Sequence, residues 1–248
     1  MVMKSFLALL PFLMLATTVR AEQVVAAISH PSVEISSSFE GETLTLFGNI
    51  EGRVGGPSPY EVAVVVTGPL ETVTVWEKAR FFGIWSNTEA FSFSSVPSFL
   101  QILSSRPLEQ IAAQDRLLEL YLRPEAYLVP ADGGTKAARR YGGELIRLMR
   151  EEGRYGLREN AVLFLSDSLY KARLDIPSHA SPGPYVAQTY IFRDGEVVAR
   201  KTDGFSVRKV GFERFLAQAS TRSPLIYGVV SVLLALAIGW LGGVIFRR

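Results

Sequence analysis

The sequence has no cysteine and only two histidines, His30 and His179, in 248 residues. Thiolate zinc sites, iron–sulfur clusters, thiol nucleophiles and disulfide staples are therefore outside its repertoire. Three of its four methionines fall in the first 21 residues, which leaves too few soft ligands for a copper site. No metal site and no cofactor is expected. Charged residues make up 20% and hydrophobic ones 48%, a balance that excludes a disordered or collagen-like chain. What remains is a globular domain of about 200 residues with membrane-directed segments.

Those segments are at the two ends. Lys4 precedes an apolar run from Phe6 to Val19, and Val19-Arg20-Ala21 offers small residues where a signal peptidase reads, so residues 1–21 read as a cleaved secretory signal. At the other end Leu225 to Phe246 is 22 residues without a charge. As a helix it spans about 33 Å, enough to cross a bilayer. Pro224 suits a first helical turn, and Arg247 with Arg248 follows as the positive residues of a cytoplasmic end. The expected topology is a single span in a bacterial inner membrane, amino end periplasmic and carboxyl end cytoplasmic. A chain so exported meets no nucleic acid.

Removing Lys4, Arg20, Arg247 and Arg248 from the 26 basic residues leaves 22 against 24 acidic ones in the exported part. Division at residue 135 gives 6 basic and 14 acidic residues before it, then 16 and 10 after it. Either the halves interleave in one domain and neutralise each other, or a positive face is offered to anionic headgroups or an acidic partner.

Within residues 22–210 the pattern is mainly β. Strand signals occupy Val24 to Ile28, Val33 to Ile35, Thr43 to Ile50, Tyr60 to Thr67 and Thr72 to Glu77, separated by turns such as Gly55-Gly56-Pro57 and Gly68-Pro69. Phe91 and Phe93 alternate with serines in a further strand closed by Val96-Pro97. Strands resume at Ala161 to Leu165, Tyr170 to Ile176 and Tyr185 to Phe192; Asp194-Gly195 turns into Glu196 to Arg200, and Asp203-Gly204 precedes Phe205 to Val210. Pro182-Gly183-Pro184-Tyr185 resembles the approach to a long strand in immunoglobulin-like sandwiches, and an immunoglobulin-like β-sandwich is the expected fold.

The period changes to helical over about 105–153. Leu108, Ile111, Ala112, Leu118 and Leu122 recur at helical spacing until Arg123-Pro124, and a second helix from Thr135 to Gly153 places Ala138, Tyr141, Leu145, Leu148 and Met149 on one face. The two read as an antiparallel pair inserted in the β domain. The second helix and its exit carry Lys136, Arg139, Arg140, Arg147, Arg150, Arg154 and Arg158. Arg140 with Glu144 and Arg147 with Glu151 stand four apart, as in a self-paired solvated face; the other reading of the cluster is a dedicated anion site. Phe212, Phe215, Leu216 and Ala219 give a short amphipathic segment over 211–223, before the span at 224–246 and the cytoplasmic end at 247–248.

No catalytic residues are assigned. Ser168-Leu169-Tyr170-Lys171 has the Ser-x-x-Lys spacing of penicillin-binding proteins, but Lys201-Thr202-Asp203-Gly204 has one residue too many for their Lys-Thr-Gly and Ser168 lies among strand signals. Asp175 and His179 stand near Ser178 and Ser181 in a loop without a nucleophile elbow. The aromatics Trp76, Phe81, Phe82, Trp85, Phe91 and Phe93 read first as sandwich core. The other reading is a groove in which Trp76, Lys78, Arg80, Trp85 and Asn87, with Arg106, bind a small anionic solute. In the terminal span Ser231, Ala235, Gly239 and Gly243 recur every four residues, a small-residue face suited to packing against a second copy or another membrane protein.

Val75-Trp76-Glu77-Lys78-Ala79-Arg80 running to Gly83-Ile84-Trp85-Ser86-Asn87, then Val96-Pro97-Ser98-Phe99 and Ser104-Ser105-Arg106-Pro107-Leu108, together with a leader and one terminal span, resembles the alphaproteobacterial putative transmembrane protein family. The resemblance covers essentially the whole chain and is most specific over residues 73–108. Leu100 stands where a tyrosine is expected after Pro-Ser-Phe. The resemblance implies an inner-membrane protein, often encoded beside a sulfite-exporter-like permease; it supplies no catalytic residues. The expected role is that of a non-enzymatic accessory or interaction subunit of a membrane assembly, with a permease-like partner or a second copy. A ligand-binding module and a hydrolase are the alternatives.

Overall fold

The computed structural model describes residues 23–36, 40–51, 60–130, 135–211 and 219–245. The expected leader over 1–21, the turn at Gly55-Gly56-Pro57, the apolar residues Phe212, Phe215 and Leu216, and the end Phe246-Arg247-Arg248 lie outside the described residues, as do the side chains of Lys136, Ala138 and Arg139.

Three sheets account for thirteen strands. An outer sheet of β1 (Gln23–Ile28), β3 (Gly41–Glu51), β11 (Leu169–Pro177) and β10 (Val162–Phe164) is paired in that order, antiparallel throughout. A central sheet follows the order β2 (Ser32–Ile35), β13 (Glu196–Lys209), β12 (Gly183–Arg193), β4 (Tyr60–Thr67), β7 (Leu100–Ser104) and β9 (Tyr155–Arg158). Its two edge strands, β2 on β13 and β9 on β7, are the parallel pairs. The third sheet is a ribbon of β5 (Leu70–Phe81) and β6 (Ile84–Pro97), touched at one edge by the two-residue β8 (Val129–Pro130).

The composition of β4 shows why the central sheet is a middle layer. A strand covered on both faces loses polar/apolar alternation, and Val62-Ala63-Val64-Val65-Val66 is apolar at every position. Val62, Val64 and Val66 enter a core shared with Leu44, Leu46 and Ile50 of β3 and Tyr170, Ala172, Leu174 and Ile176 of β11. Ala63 and Val65 point the other way, into a second core with Phe91 and Phe93 of β6, Leu100 and Ile102 of β7, and Tyr190 and Phe192 of β12. Each fully buried Val or Leu contributes about 1.5–3 kcal/mol of transfer free energy. In β11, by contrast, buried and more open residues alternate, since its other face meets solvent.

Helical elements close the second core. Here the single helix expected over 108–122 divides into α1 (Leu108–Ile111) and α2 (Gln114–Glu119), followed by a 3-10 turn at Pro124–Tyr127. Ala112 and Ala113 between them are extended, with ψ of 163° and 151°. Of the apolar positions that suggested one helix, Leu108, Ile111, Ala112 and Leu122 are nevertheless buried and line the core, where Leu117 joins them, while Leu118 is half-buried. Burial of a winding segment reproduces the helical spacing without a continuous helix. The second helix, α3 (Thr135–Glu151), has the expected start and sends Leu145 and Met149 inward.

Two further expectations change. Glu196 to Arg200 and Phe205 to Val210 are not separate strands: β13 runs through Asp203-Gly204, which pair with Ala187 and Val186 of β12. Asp194-Gly195 is the turn, with φ of 50° and 84°. The short strands expected near 72–77 and 91–93 are parts of the β5–β6 ribbon, whose strands are 12 and 14 residues long.

Candidate functional site

The ribbon continues a pairing begun inside the central sheet. β4 and β7 pair from Ala63 and Ser104 to Thr67 and Leu100, the Gly68 amide donates to Phe99 O at 2.9 Å, and the Ser98 amide donates to Pro69 O at 2.8 Å. β5 and β6 take over at Leu70 and Pro97 and run to Phe81 and Ile84. The base of this long hairpin is anchored, with Phe93 fully buried and stacked edge-on to Phe91 at 5.0 Å. Phe91 in turn stacks on Tyr141 of α3 at 5.7 Å. Glu77 accepts hydrogen bonds from the Tyr141 hydroxyl and from Arg140 Nη2, the latter at 2.9 Å. The bond to Glu77 is the main reason the Tyr141 phenol titrates above its ordinary range. Arg140 thus pairs across to β5, not with Glu144 on its own helix, whereas Arg147 takes both Glu144 and Glu151.

Beyond Glu77 and Glu89 the ribbon loses its cover. Core packing, the first reading of the aromatics, holds for Phe91 and Phe93 but not for Trp76, Phe82 or Trp85, which are 53%, 103% and 67% exposed. The reason is length: the ribbon outruns the sheet and helix beneath it. Lys78 opposes Asn87 and Arg80 opposes Trp85, and alternation along β5 puts Trp76 on the side of Lys78 and Arg80. Five of the six residues expected to bind an anion are therefore on one exposed face. Arg106 is elsewhere, in a cleft of about 520 Å³ lined by Glu61, Glu109, Gln110, Phe192 and Asp194 among others. Its Nε lies 3.1 Å from Glu61 Oε1, so an anion there has to displace a carboxylate.

The tip itself adds Phe82 and Ile84, which the sequence reading did not single out together. Phe82 and Gly83 have φ of 46° and 84°, the two left-handed residues of a type I′ turn. Glycine takes that conformation freely; a phenylalanine there costs about 1–2 kcal/mol relative to right-handed backbone. Arg80 Nε donates to Gly83 O at 3.3 Å and caps the turn. The available signal was Phe82-Gly83 between two alternating runs, a two-residue loop with glycine second.

Other candidates resolve into structural roles. Ser168 precedes β11 and its carbonyl accepts from the Ile50 amide at 3.0 Å, so Ser-x-x-Lys leads into a strand, not the start of a helix. Asp175 is held by Thr43 Oγ1 at 2.8 Å and Arg158 Nη1 at 2.6 Å, on a cleft of about 570 Å³ shared with Glu40 and Glu42. The Thr43 hydrogen bond, followed by Arg158, keeps its carboxyl below the ordinary value. His179 is exposed and outside the residues that line that cleft. A cleft of about 660 Å³ along α3 is lined by Glu125, Leu128, Ile146, Arg147, Arg150 and Glu151. Among the described residues no group of three or more His, Asp or Glu is placed to hold a metal ion.

The last helix, α4 (Pro224–Ile245), is apolar on every side and is long enough to cross a membrane over Pro224–Val244. None of that window is buried against the rest of the chain. A Cβ added at Gly239 or Gly243 meets nothing within 4 Å, so the face with Ser231 and Ala235 is open.

Among the described residues, a mainly β domain joined to one apolar helix of membrane-spanning length defines a membrane protein with a candidate span. The chain belongs to the alphaproteobacterial family described as "Putative transmembrane protein", whose family model matches residues 23–248. Among curated proteins no match to the chain is found.

Proposed function

We propose that this is a single-span inner-membrane protein whose β domain faces the periplasm and which serves, without catalysis of its own, as an accessory or interaction subunit of a membrane assembly. The observation that carries the reading is α4: 22 residues with no covered face, presenting Ser231, Ala235, Gly239 and Gly243 where a second backbone can approach closely. Arg247 and Arg248 directly after it support a cytoplasmic carboxyl end. The partner is a permease-like membrane protein or a second copy.

For the domain we adopt the immunoglobulin-like comparison. In its support, the outer sheet order β1-β3-β11-β10 and the order β13-β12-β4 of the central sheet correspond to the ABED and GFC sheets of that fold. The Tyr185 hydroxyl, near the start of β12, donates to Ser181 O at 2.9 Å, the arrangement of a tyrosine corner. The ribbon and the helices then form an insertion between the third and fourth strands of that scheme.

The test is co-purification from native membranes in mild detergent. A membrane protein should be retained by the wild type and lost with Gly239→Leu plus Gly243→Leu, two changes that keep the helix apolar but fill its open face. Recovery of the chain alone and monomeric in both cases sinks the subunit reading.

A further inference from the structure

We propose that the tip of the β5–β6 hairpin is a second membrane contact, seated in the anionic headgroup layer of the bilayer that α4 crosses; the inference rests on the reading of α4 as a span. Three independent observations lead there. The first is direction. Thr67 of β4 pairs with Val186 of β12, which pairs with Gly204 of β13, and β13 continues past that level to Lys209. The ribbon starts just beyond Thr67, with Pro69 against Gly183. It therefore leaves the central sheet at the same end as the chain segment that goes on to α4. Its 12-residue strand β5 covers about 40 Å. Fourteen residues separate Lys209 from Pro224 and reach at most about 50 Å, so tip and span can meet one surface.

The second observation is chemistry. Phe82, Ile84 and Trp85 are exposed together at the tip, and Trp76 stands on the Trp85 face. Tryptophan and phenylalanine beside basic side chains are the composition of the membrane–water interface, where rings sit among headgroups and long cationic chains reach the phosphates. From Lys78 to Thr88 the ribbon has two basic residues and no acidic one. The nearest carboxylate on β5, Glu77, is already bound to Arg140 and Tyr141. The third is strain. A fully exposed phenylalanine occupies a left-handed turn position at Phe82, an arrangement that packing within the chain does nothing to reward and an apolar environment outside it does.

The chain has three tryptophans, Trp76, Trp85 and Trp240, so the full protein can report on itself. Trp76→Phe with Trp240→Phe leaves Trp85 as the sole tryptophan; Trp76→Phe with Trp85→Phe leaves Trp240 in α4. Both are reconstituted into vesicles of phosphatidylglycerol and phosphatidylethanolamine, with and without brominated acyl chains, and challenged with aqueous acrylamide. Trp85 should be quenched by brominated lipid and shielded from acrylamide. Adding Lys78→Gln and Arg80→Gln should lower the ratio of seated to free tip about 30-fold, the effect of two basic charges at an anionic surface; Phe82→Ser with Ile84→Ser, at positions 103% and 73% exposed, should release it with the melting temperature unchanged. Trp85 open to acrylamide while Trp240 is quenched by lipid overturns the hairpin contact and leaves the span standing. Trp85 shielded from both quenchers means that protein covers the tip and also overturns it. Trp240 unquenched by brominated lipid removes the span and the proposal with it.

Discussion

Asp175 and Phe82 illustrate what a single residue discloses and what it conceals. In sequence Asp175 is one carboxylate near a histidine; in the fold it is held by Thr43 from β3 and by Arg158 at the end of β9, 132 and 17 positions away. Those partners favour the charged form, so the folded pKa lies below the ordinary value near 3.8. A depressed carboxylate contributes stability above its unfolded pKa and loses it as pH falls through the folded one. The melting temperature should therefore fall below about pH 4, and Thr43→Val should make that fall shallower by removing the largest of the stabilising contacts. Equal slopes in thermal melts of wild type and variant would separate Asp175 from acid stability. Phe82 was legible as an aromatic and not as a turn residue, because turn preference is read from glycine and asparagine and only Gly83 supplied it. Trp76 and Trp85 were legible as a pair, but alternation cannot distinguish a face turned to a core from one turned outward.

At the scale of elements, β1, β2, β3, β4, β10, β11 and β12 were readable to within two residues, whereas the short β7 and β9 were not read. Tyr60–Thr67 is the clearest, since six of its eight residues, all but Glu61 and Ala63, are good strand formers and both faces are covered. The break between α1 and α2 was not readable. Ala112-Ala113 favours helix intrinsically, and only the demand to bury Ile111, Ala112 and Leu117 in one core holds it extended. Nor was the length of the ribbon, because its pairing partner is reached through the turn at Phe82-Gly83. Beyond the core the ribbon is supported laterally by the group of Glu77, Arg140 and Tyr141. Tyr141→Phe should speed amide exchange across residues 76–90 several-fold while residues 60–67 keep their protection, a local opening seen by hydrogen exchange mass spectrometry. Uniform acceleration over both stretches would show that the ribbon and central sheet open as one unit.

At the scale of the whole molecule the charge asymmetry has a physical account. Arg140 pairs with Glu77 and Arg154 with Glu71, each a basic residue of the second half meeting an acidic one of the first. Arg158 with Asp175 and Arg147 with Glu144 and Glu151 are pairs within the second half. Interleaving thus accounts for part of the imbalance, and the basic residues of the ribbon stand apart from it. The terminal span was the most legible element of all, since 22 apolar residues need no partner strand to be recognised. Leu234→Arg with Leu236→Arg places two charges near the middle of α4, each costing about 2.5–3.5 kcal/mol of insertion. The variant should move from the carbonate-resistant membrane pellet toward the soluble fraction; an unchanged pellet would argue that something other than α4 holds the chain there.

The strand that leads out to α4 is paired on both sides near its far end. β13 lies between β12, which it pairs over almost its full length, and β2, which runs parallel to it from Ser206 to Lys209. With α4 seated in a bilayer as proposed above, a pull along the strand axis at Lys209 enters the domain through β13. Its hydrogen bonds to both neighbours lie across that pull and are loaded side by side, so they have to yield together and not in succession. Such a pull has to overcome β2 and β12 together before it can unravel the last strand.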